Sequence, residues 1–161
     1  MFSKNKFTQH SAELSPDELL SKLEHYCAYR ERCPQEVRTK IAALGAGPSV
    51  AQQVFEALKA DNFFDEQRFA FAYASGKFRN NNWGKVRIRQ ELRMRDISPE
   101  MIEMALEVIE MEAYHALVLK LLEKKLAQYA GDAKAREKSA ASLIRSGFES
   151  SLVFKKLNKI A

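Results

Sequence analysis

Residues 89–109 read RQELRMRDISPEMIEMALEVI, two amphipathic stretches on either side of a short turn. In the second stretch, Ile102, Leu106 and Ile109 repeat at helical spacing, which predicts one apolar face on a helix. Between the stretches, Ser98-Pro99-Glu100 supplies a side-chain cap, a proline at the first helical position and an acid in the first turn. The segment therefore predicts two helices joined by a tight turn, similar to a helix-turn-helix.

An offset of 51 residues relates this segment to the rest of the chain. Pro48 precedes Pro99 by that distance, and the turn positions Gly45, Asp96 and Gly147 fall on the same register. Apolar residues follow it too, as in the pairs Val37 and Ile88, Ile41 and Leu92, Leu92 and Leu143, and Leu106 and Leu157. Because a unit of about 50 residues buries little surface alone, neighbouring units are expected to pack together. We predict an all-α protein of three tandem three-helix repeats, helix-turn-helix-like units in an elongated, curved array.

The repeats set the expected domain boundaries: an N-terminal tail at residues 1–13 and three-helix repeats at residues 14–62, 63–110 and 111–161. Periodicity and turn residues predict helices near Pro16–Tyr29, Pro34–Leu44, Pro48–Ala60, Asp65–Phe78, Trp83–Arg95, Pro99–Ile109, Met111–Tyr129, Ala133–Arg145 and Glu149–Lys159. Asn80-Asn81-Asn82 is the predicted break before Trp83.

Composition agrees with a folded helical protein. The chain has 161 residues, of which 46% are hydrophobic and 29% charged, and its six glycines and four prolines are too few for an all-β fold. No stretch approaches the roughly 18 apolar residues of a membrane span, and the first residues lack the apolar core of a signal peptide. We expect a cytoplasmic protein without membrane contact, in which Cys27 and Cys33 are reduced structural cysteines.

The charges are segregated by sign. The chain carries a formal net charge of +5, but residues 76–95 alone carry +6 and residues 96–112 carry −6 with no Lys or Arg. A surface built for solubility alone normally mixes both signs. The basic segment therefore indicates contact with nucleic acid or with a polyanionic assembly.

Enzymatic chemistry has little support in the sequence. His10, His25 and His115 match no metal-binding motif, and no phosphate-binding P-loop is present. A nuclease-like metal site at Asp65 and Glu66 is the enzymatic alternative, but it lacks further acids at a convincing spacing. We expect a protein that acts by binding, without catalysis, cofactor or metal.

The strongest binding signal lies on the helix near Trp83–Arg95. Ile88 and Leu92 are predicted to face the core, which places Lys85, Arg89 and Arg93 in a row on an adjoining face. We predict that this row binds an acidic partner surface or DNA; the alternative is a merely solvated face. The complete predicted site adds three residues: Lys77, Arg79 and Arg87.

Two neighbours of the row have alternative interpretations. Arg87 is expected to pair partly with Glu91, its neighbour four positions on, and so ranks below Arg89 and Arg93. Trp83 at the helix start is interpreted as a core anchor, with a stacking surface as the alternative. Weaker basic patches are predicted in the other repeats, at Arg30, Arg32, Arg38 and Lys40, and at Lys134, Arg136, Lys138 and Arg145.

A transcription regulator that reads DNA through the helix-turn-helix is the alternative binding protein. Such a reader needs basic or amide side chains on its second helix. Here that helix carries Glu100, Glu103 and Glu107, which argues against direct major-groove reading.

Several of these stretches together resemble the signature of the RecX regulatory proteins: Asp65-Glu66-Gln67-Arg68-Phe69-Ala70, Trp83-Gly84-Lys85-Val86-Arg87-Ile88, Glu91-Leu92 and Asp96-Ile97. The residues that carry the likeness are Asp65, Arg68, Phe69, Ala70, Trp83, Gly84, Ile88 and Leu92. Arg32-Cys33-Pro34 and Ser146-Gly147-Phe148 are similar to the matching parts of the first and third repeats. Asp96 replaces the glycine usual at its turn and Glu66 replaces the more frequent aspartate; since Asp tolerates left-handed backbone, the fold is expected to persist.

The resemblance implies a function as well as a fold. It implies a bacterial cytoplasmic regulator that binds the RecA–DNA filament and modulates, mainly by inhibition, RecA ATPase, strand exchange and co-protease activity in recombination, DNA repair and the SOS response. The implied partners are the RecA filament and, weakly and without sequence preference, single- and double-stranded DNA. We expect a monomer with no cofactor.

Overall fold

The computed structural model describes residues 13–160, so most of the predicted tail at residues 1–13, including His10, lies outside the described residues. All regular structure in the described range is helical, which confirms the all-α fold class. The helices are α1 (Pro16–Tyr29), α2 (Pro34–Ala43), α3 (Pro48–Ala60), α4 (Glu66–Asn81), α5 (Lys85–Arg93), α6 (Pro99–Glu107), α7 (Met111–Gln128), α8 (Ala135–Arg145) and α9 (Ser150–Leu157). None of them is both long and apolar enough to cross a bilayer.

The structure follows the predicted 51-residue register. The helices α3, α6 and α9 begin at Pro48, Pro99 and Ser150, successive positions at that offset. The turns before them place Gly45, Asp96 and Gly147 at φ values of 83°, 60° and 95°. These are left-handed conformations that glycine adopts without strain and aspartate tolerates. The aspartate at the second turn thus keeps the geometry that glycine has at the other two.

Helix contacts divide the helices into three groups of three, α1–α3, α4–α6 and α7–α9, within each of which every helix contacts the other two. The chain forms two compact units, the first ending at Asp65 and the second beginning at Glu66. The predicted repeat boundaries at residues 14–62, 63–110 and 111–161 remain a prediction.

The first unit has its own hydrophobic core. Leu23, Val37 and Leu58 are fully buried in it, and Phe64 packs against Phe55 with ring centroids 5.0 Å apart. Both cysteines are buried in this unit, and neither forms a disulfide. Burial raises the pKa of the Cys27 thiol, which keeps it protonated and unreactive near neutral pH.

The second unit contains the other two helix groups and joins them by backbone contact. The Gly84 N–H donates to the Ser146 carbonyl at 2.9 Å, and the Val86 N–H donates to the Gly147 carbonyl at the same distance. A Cβ on Gly84 would lie 2.2 Å from the carbonyl carbon and oxygen of Gly147, so only glycine fits there. The turn before α9 therefore seats directly against the start of α5.

The start of α5 differs from the prediction. Helix α4 continues through Asn80 to Asn81, and α5 begins at Lys85 with Gly84 as its N-cap. Asn82 takes a left-handed conformation with φ of 55°, and α4 ends at Asn81, three residues after the predicted end at Phe78. Trp83 consequently lies in the connection between the helices rather than at the opening of α5.

Candidate nucleic-acid interface

Helix α5 carries cations along both sides of its buried stripe. Ile88 and Leu92 are fully buried, as the sequence predicted. On one side lies the basic row, defined as Lys85, Arg89 and Arg93. On the other side Arg87 and Arg95 meet the aromatic residues of the α4 end, and we call this group the Trp83 cluster: Tyr73, Lys77, Trp83, Arg87 and Arg95. The predicted basic segment thus contains two different surfaces.

The basic row contacts helix α6 of the same group. Arg89 forms a two-pronged ion pair with Glu103, with Nε 2.7 Å from Oε1 and the second nitrogen 3.3 Å from Oε2. This hydrogen bond lowers the pKa of the Glu103 carboxyl and raises that of Arg89. The Lys85 Nζ lies 4.9 Å from the centre of the Tyr114 ring, and Arg93 is exposed. Lys85 and Arg93 therefore present most of the row's unneutralised charge.

The Trp83 cluster stacks cations on rings. The Arg87 guanidinium carbon lies 3.8 Å from the centre of the Trp83 ring, and the Lys77 Nζ lies 4.8 Å from the same centre. Arg95 lies 4.8 Å from the Tyr73 ring, which meets Trp83 edge-on at 6.4 Å. All five members of the cluster are partly exposed. The arrangement offers flat π surfaces and positive charge at one place.

Two predictions about this cluster need correction. Trp83 is not a core anchor, because it is only partly buried and carries two cations against its ring. The partner of Glu91 is Arg95, at 2.8 Å, and Arg87 is stacked on Trp83 instead of being the expected partner of Glu91. On a helix, an acid four residues before a cation pairs better than the reverse order, which favours Arg95 over Arg87.

The third helix group fixes where Arg87 stands. A Cβ on Gly147 would lie 2.2 Å from the Arg87 Cβ and 2.6 Å from the Arg87 backbone nitrogen. The turn before α9 therefore packs directly against the backbone and Cβ of Arg87. Gly147 itself has φ of 95°, a conformation that favours glycine. The close approach holds the first turn of α5, and with it Arg87, in one position.

The hydroxyl of Tyr114, on α7, forms hydrogen bonds with the start of α5 and with Glu149, which precedes α9. The Lys85 N–H donates to the Tyr114 oxygen at 2.9 Å, and the hydroxyl donates to the Glu149 carboxylate at 2.6 Å. Burial, followed by the bond to Glu149, raises the pKa of the Tyr114 phenol, so it stays protonated. One buried hydroxyl thereby serves helices α5 and α7 and the start of α9.

Arg79, which was predicted with the central site, lies apart from the Trp83 cluster. It lines a cavity of about 350 Å³ together with Phe71, Phe78, Val108 and Glu110. These neighbours of Arg79 are apolar side chains and Glu110, from α4 and from the end of α6 and its connection to α7, rather than the cations of α5.

The predicted basic patch of the first repeat is largely engaged inside its own unit. Arg32 is only 7% exposed and donates to the Tyr26 carbonyl at 3.0 Å, so burial removes it from any binding surface. Arg30 pairs with Glu36, and Arg38 lies 3.8 Å from the centre of the Phe55 ring. Lys40 lies 5.4 Å from the Tyr26 ring. These cations stabilise the first unit.

The predicted patch of the third repeat is partly engaged as well. Arg136 donates to the Leu157 carbonyl at 2.6 Å and so caps the end of α9, and Lys138 pairs with Asp132. Lys134 and Arg145 are exposed.

The signature residues divide into core and surface. Phe69, Ala70, Ile88 and Leu92 are buried, Arg68 is exposed, and Asp65 immediately precedes α4. Gly84 makes the backbone contact with Gly147 described above. The sequence missed Tyr73, Arg95, Tyr114 and Glu149 as contributors to the site. The ring of Tyr73 ten residues before Trp83 was the available signal, because aromatic residues interleaved with cations are typical of nucleic-acid binding.

The acids of this region do not form a metal centre. Among residues 13–160, no group of three or more His, Cys, Asp or Glu side chains is placed to hold a metal ion. Glu66, one half of the nuclease-like alternative, accepts from the Ser98 N–H at 3.2 Å and so helps to begin α6. On α6 itself, Glu100 and Glu107 are exposed and Glu103 pairs with Arg89.

The residues of the Trp83 cluster and the basic row lie in a segment that matches a known family domain. Residues 65–106 match the family model described as RecX, second three-helix domain. The chain is 29% identical over 127 residues to the regulatory protein RecX of Geobacillus kaustophilus, covering 77% of this chain and 47% of that protein. It is 35% identical over 85 residues to that of Halorhodospira halophila, covering 53% of this chain and 52% of the relative. The chain thus spans about half the length of these two relatives.

The fold is shared with a solved structure. The crystal structure of RecX from Lactobacillus salivarius superposes with a TM-score of 0.82 at 18% identity, covering 90% of this chain and 96% of the other. The relatives are named as regulatory proteins, in agreement with the expectation of a protein that acts by binding rather than by catalysis. The Trp83-Gly84 connection lies inside the matched domain, and the chain is similar to the RecX regulatory proteins in sequence and in helical fold.

Proposed function

We propose that the protein binds the RecA–DNA filament and regulates it, mainly by inhibiting the ATPase, strand-exchange and co-protease activities of RecA in recombination and DNA repair. The observation that carries the proposal is the pair of cationic surfaces on either side of the buried stripe of α5, inside the matched RecX domain. A nucleoprotein filament presents phosphates and acidic side chains along its length, and a cationic surface is attracted to both.

The basic row is the proposed contact with the filament. Lys85 and Arg93 stand at its two ends, on either side of the Arg89–Glu103 pair. Arg89 is held in place by Glu103, so it orients the row rather than supplying a full free charge. The ends of the row therefore matter most for attraction to the filament.

The transcription-regulator alternative remains disfavoured. Its recognition helix would be α6, whose exposed Glu100 and Glu107 would repel DNA phosphates. We propose instead a cytoplasmic monomer whose DNA contact is weak and independent of sequence. Such binding should weaken steeply with added salt, because counterion release supplies most of its free energy.

A pull-down on recombinase filaments tests the proposal. Filaments of RecA are assembled on single-stranded DNA with a slowly hydrolysed ATP analogue, and retention of the protein is compared with that on free RecA and on promoter duplex. We expect retention on filaments and inhibition of RecA ATPase. Preferential retention on one promoter duplex, or the absence of both retention and inhibition, would contradict the proposal.

A charge-reversed variant locates the contact. K85E/R93E leaves the Arg89–Glu103 pair in place and is expected to lose most filament retention, because two cations become repulsive. The matched control is K120E/K124E, which makes the same change of charge on exposed residues of α7. Equal losses in both variants would mean that net charge, and not the basic row, governs binding.

A further inference from the structure

The Trp83 cluster is not accounted for by packing. An indole that stabilised the core would be buried, whereas Trp83 is partly exposed in the connection between α4 and α5. Its ring is approached by Arg87 at 3.8 Å and by Lys77 at 4.8 Å. The cluster gathers three cations, of which Arg95 is paired with the Glu91 carboxylate. Local charge is therefore positive at the place where flat surfaces are presented.

The geometry at Arg87 is that of a stack. A guanidinium carbon 3.8 Å from the ring centre is at van der Waals distance from the indole plane. Unpaired bases stack on aromatic rings, the indole among them, and on guanidinium planes. Lys77 and Arg95, on the neighbouring Tyr73 ring, stand where the phosphates of the same strand would be attracted.

The cluster is also held in position before any ligand arrives. Gly147 packs against the backbone and Cβ of Arg87, and the Gly84 and Val86 N–H groups donate hydrogen bonds to the turn before α9. The Tyr114 hydroxyl accepts a hydrogen bond from the N–H of Lys85, the first residue of α5. A stacking surface fixed in this way loses less conformational entropy on binding than a mobile side chain would.

We propose that the Trp83 cluster binds single-stranded DNA, with a base stacked on the Trp83–Arg87 pair and with Lys77 and Arg95 contacting the adjacent phosphates. Single-stranded DNA is favoured over duplex because the bases of a duplex are already stacked on one another. The inference deepens the proposed function, on which it rests for the identity of the nucleic acid, and it separates DNA contact from the filament contact of the basic row.

The fluorescence of Trp83 gives a direct test, since the chain has one tryptophan. The full chain is titrated with a thymine 15-mer, with a duplex of equal length and with a 15-mer that has abasic sites in place of bases. We expect saturable quenching by the thymine strand and little by the other two, because only exposed bases can stack on the indole. Equal quenching by all three, or none by the thymine strand, would overturn the proposal.

Variants separate stacking from charge, read by the anisotropy of a labelled thymine 15-mer. W83A is expected to weaken binding about ten-fold, in the range found when a stacking aromatic is removed. R87K keeps the charge and the Cβ next to Gly147 but lacks the flat fork, and it is expected to weaken binding several-fold with an unchanged salt dependence. Y29A, at a side chain 84% exposed in the first unit, is the control and should bind like the parent. W83A and R87K variants that are folded by circular dichroism and bind like the parent would refute the stacking site.

The two proposals fail in different ways. If the thymine strand quenches Trp83 but the protein neither binds nor inhibits RecA filaments, the DNA site stands and the proposed function is wrong. If the protein inhibits RecA while Trp83 remains unquenched, the regulatory function stands and the DNA site is wrong.

Discussion

The two sides of helix α5 carry similar charge and use it differently. The basic row packs beside the glutamate-rich helix α6, and its central residue, Arg89, is partly neutralised by Glu103. The Trp83 cluster faces aromatic rings, and its cations lie over the indole of Trp83 and the phenol of Tyr73. Arg89 has a carboxylate partner and is therefore oriented but partly neutralised, as is Arg95 by Glu91, whereas Arg87 on the indole ring keeps its charge.

The comparison shows what a charge count misses. Residues 76–95 carry a net +6, and the sequence treats those cations as one set. Buried Ile88 and Leu92 divide the set into two surfaces with different neighbours. The row suits an acidic protein surface, and the cluster suits a strand with exposed bases.

The largest effect is expected from a change that disturbs both sides of α5 at once. G84A would place a Cβ 2.2 Å from the Gly147 carbonyl, and backbone atoms cannot give way as a flexible side chain can. With two backbone hydrogen bonds strained as well, we expect the free energy of unfolding to fall by about 3 kcal/mol. Urea denaturation followed by circular dichroism measures the change.

The matched control for G84A is G76A. Gly76 lies inside α4, and a Cβ added there would meet nothing within 4 Å, so alanine should raise stability by about 0.5–1 kcal/mol through helix propensity. A G84A protein as stable as the parent would show that the contact with Gly147 is not tight.

A smaller effect is expected at the end of the basic row. Y114F removes the hydroxyl that accepts from the Lys85 N–H and donates to Glu149, while its ring still packs against Phe78 and Phe148. Leaving those two groups without a partner should lower the free energy of unfolding by about 1–3 kcal/mol. Denaturation of both proteins at pH 7 gives the difference.

The same variant has a pH signature. Burial and the bond to Glu149 raise the Tyr114 pKa above its unfolded value near 10, so the stabilisation is complete below about pH 10 and is lost as pH rises further. The difference between parent and Y114F should therefore shrink above about pH 10. A constant difference up to alkaline unfolding would contradict the role of the phenol proton.

A still smaller effect is expected when the ion pair of the basic row is removed. E103Q leaves Arg89 without its carboxylate, and because the Glu103 side chain is 54% exposed the loss of stability should be no more than about 1 kcal/mol. Filament retention should increase, since a third cation of the row becomes available. Arg89 lowers the pKa of Glu103 in the folded protein below its unfolded value near 4.3. The stabilisation by the ion pair is therefore fully present above that unfolded pKa and is lost as the pH falls through the pKa of Glu103 in the folded protein. Reduced retention by E103Q would mean that orientation of Arg89 outweighs its charge.

The smallest effect is expected for the corresponding change beside the Trp83 cluster. E91Q releases Arg95 from its ion pair but leaves it near the Tyr73 ring, so stability should change by about 0.5 kcal/mol or less. Affinity for the thymine 15-mer should rise about two-fold at low salt, as one anion is removed. An E91Q effect confined to filament retention would reverse our assignment of the two surfaces.

Local chemistry made much of the fold predictable. Pro34, Pro48 and Pro99 begin helices where their missing N–H costs nothing, and both ends of α1 and α3 agree with the predicted ones. The 51-residue register is visible in sequence because each repeat needs the same turn geometry, which Asp96 supplies with a left-handed conformation. Periodicity likewise identified Ile88 and Leu92 as core.

The site was less predictable because its contacts are distant in sequence. Gly84 and Gly147 are 63 residues apart, and nothing near either glycine indicates that the other approaches it. The fates of Arg32 and Trp83 depended on neighbours as well: one cation was buried against Tyr26, and one ring was left partly exposed beneath two cations. The Glu91–Arg95 pair is the exception, since the order of acid and base along the helix already favoured it.

The glycine contact also bears on where the protein can be cut. The matched family domain ends at residue 106, but the strand-stacking surface inside it is seated on a turn at residues 146–147. A fragment that stops at the domain boundary would keep every side chain of the Trp83 cluster and lose the support for the first turn of α5. The smallest fragment expected to retain the DNA binding proposed for the Trp83 cluster therefore begins near residue 66 and runs through α9, so the domain matched by sequence and the compact unit of the structure have different ends.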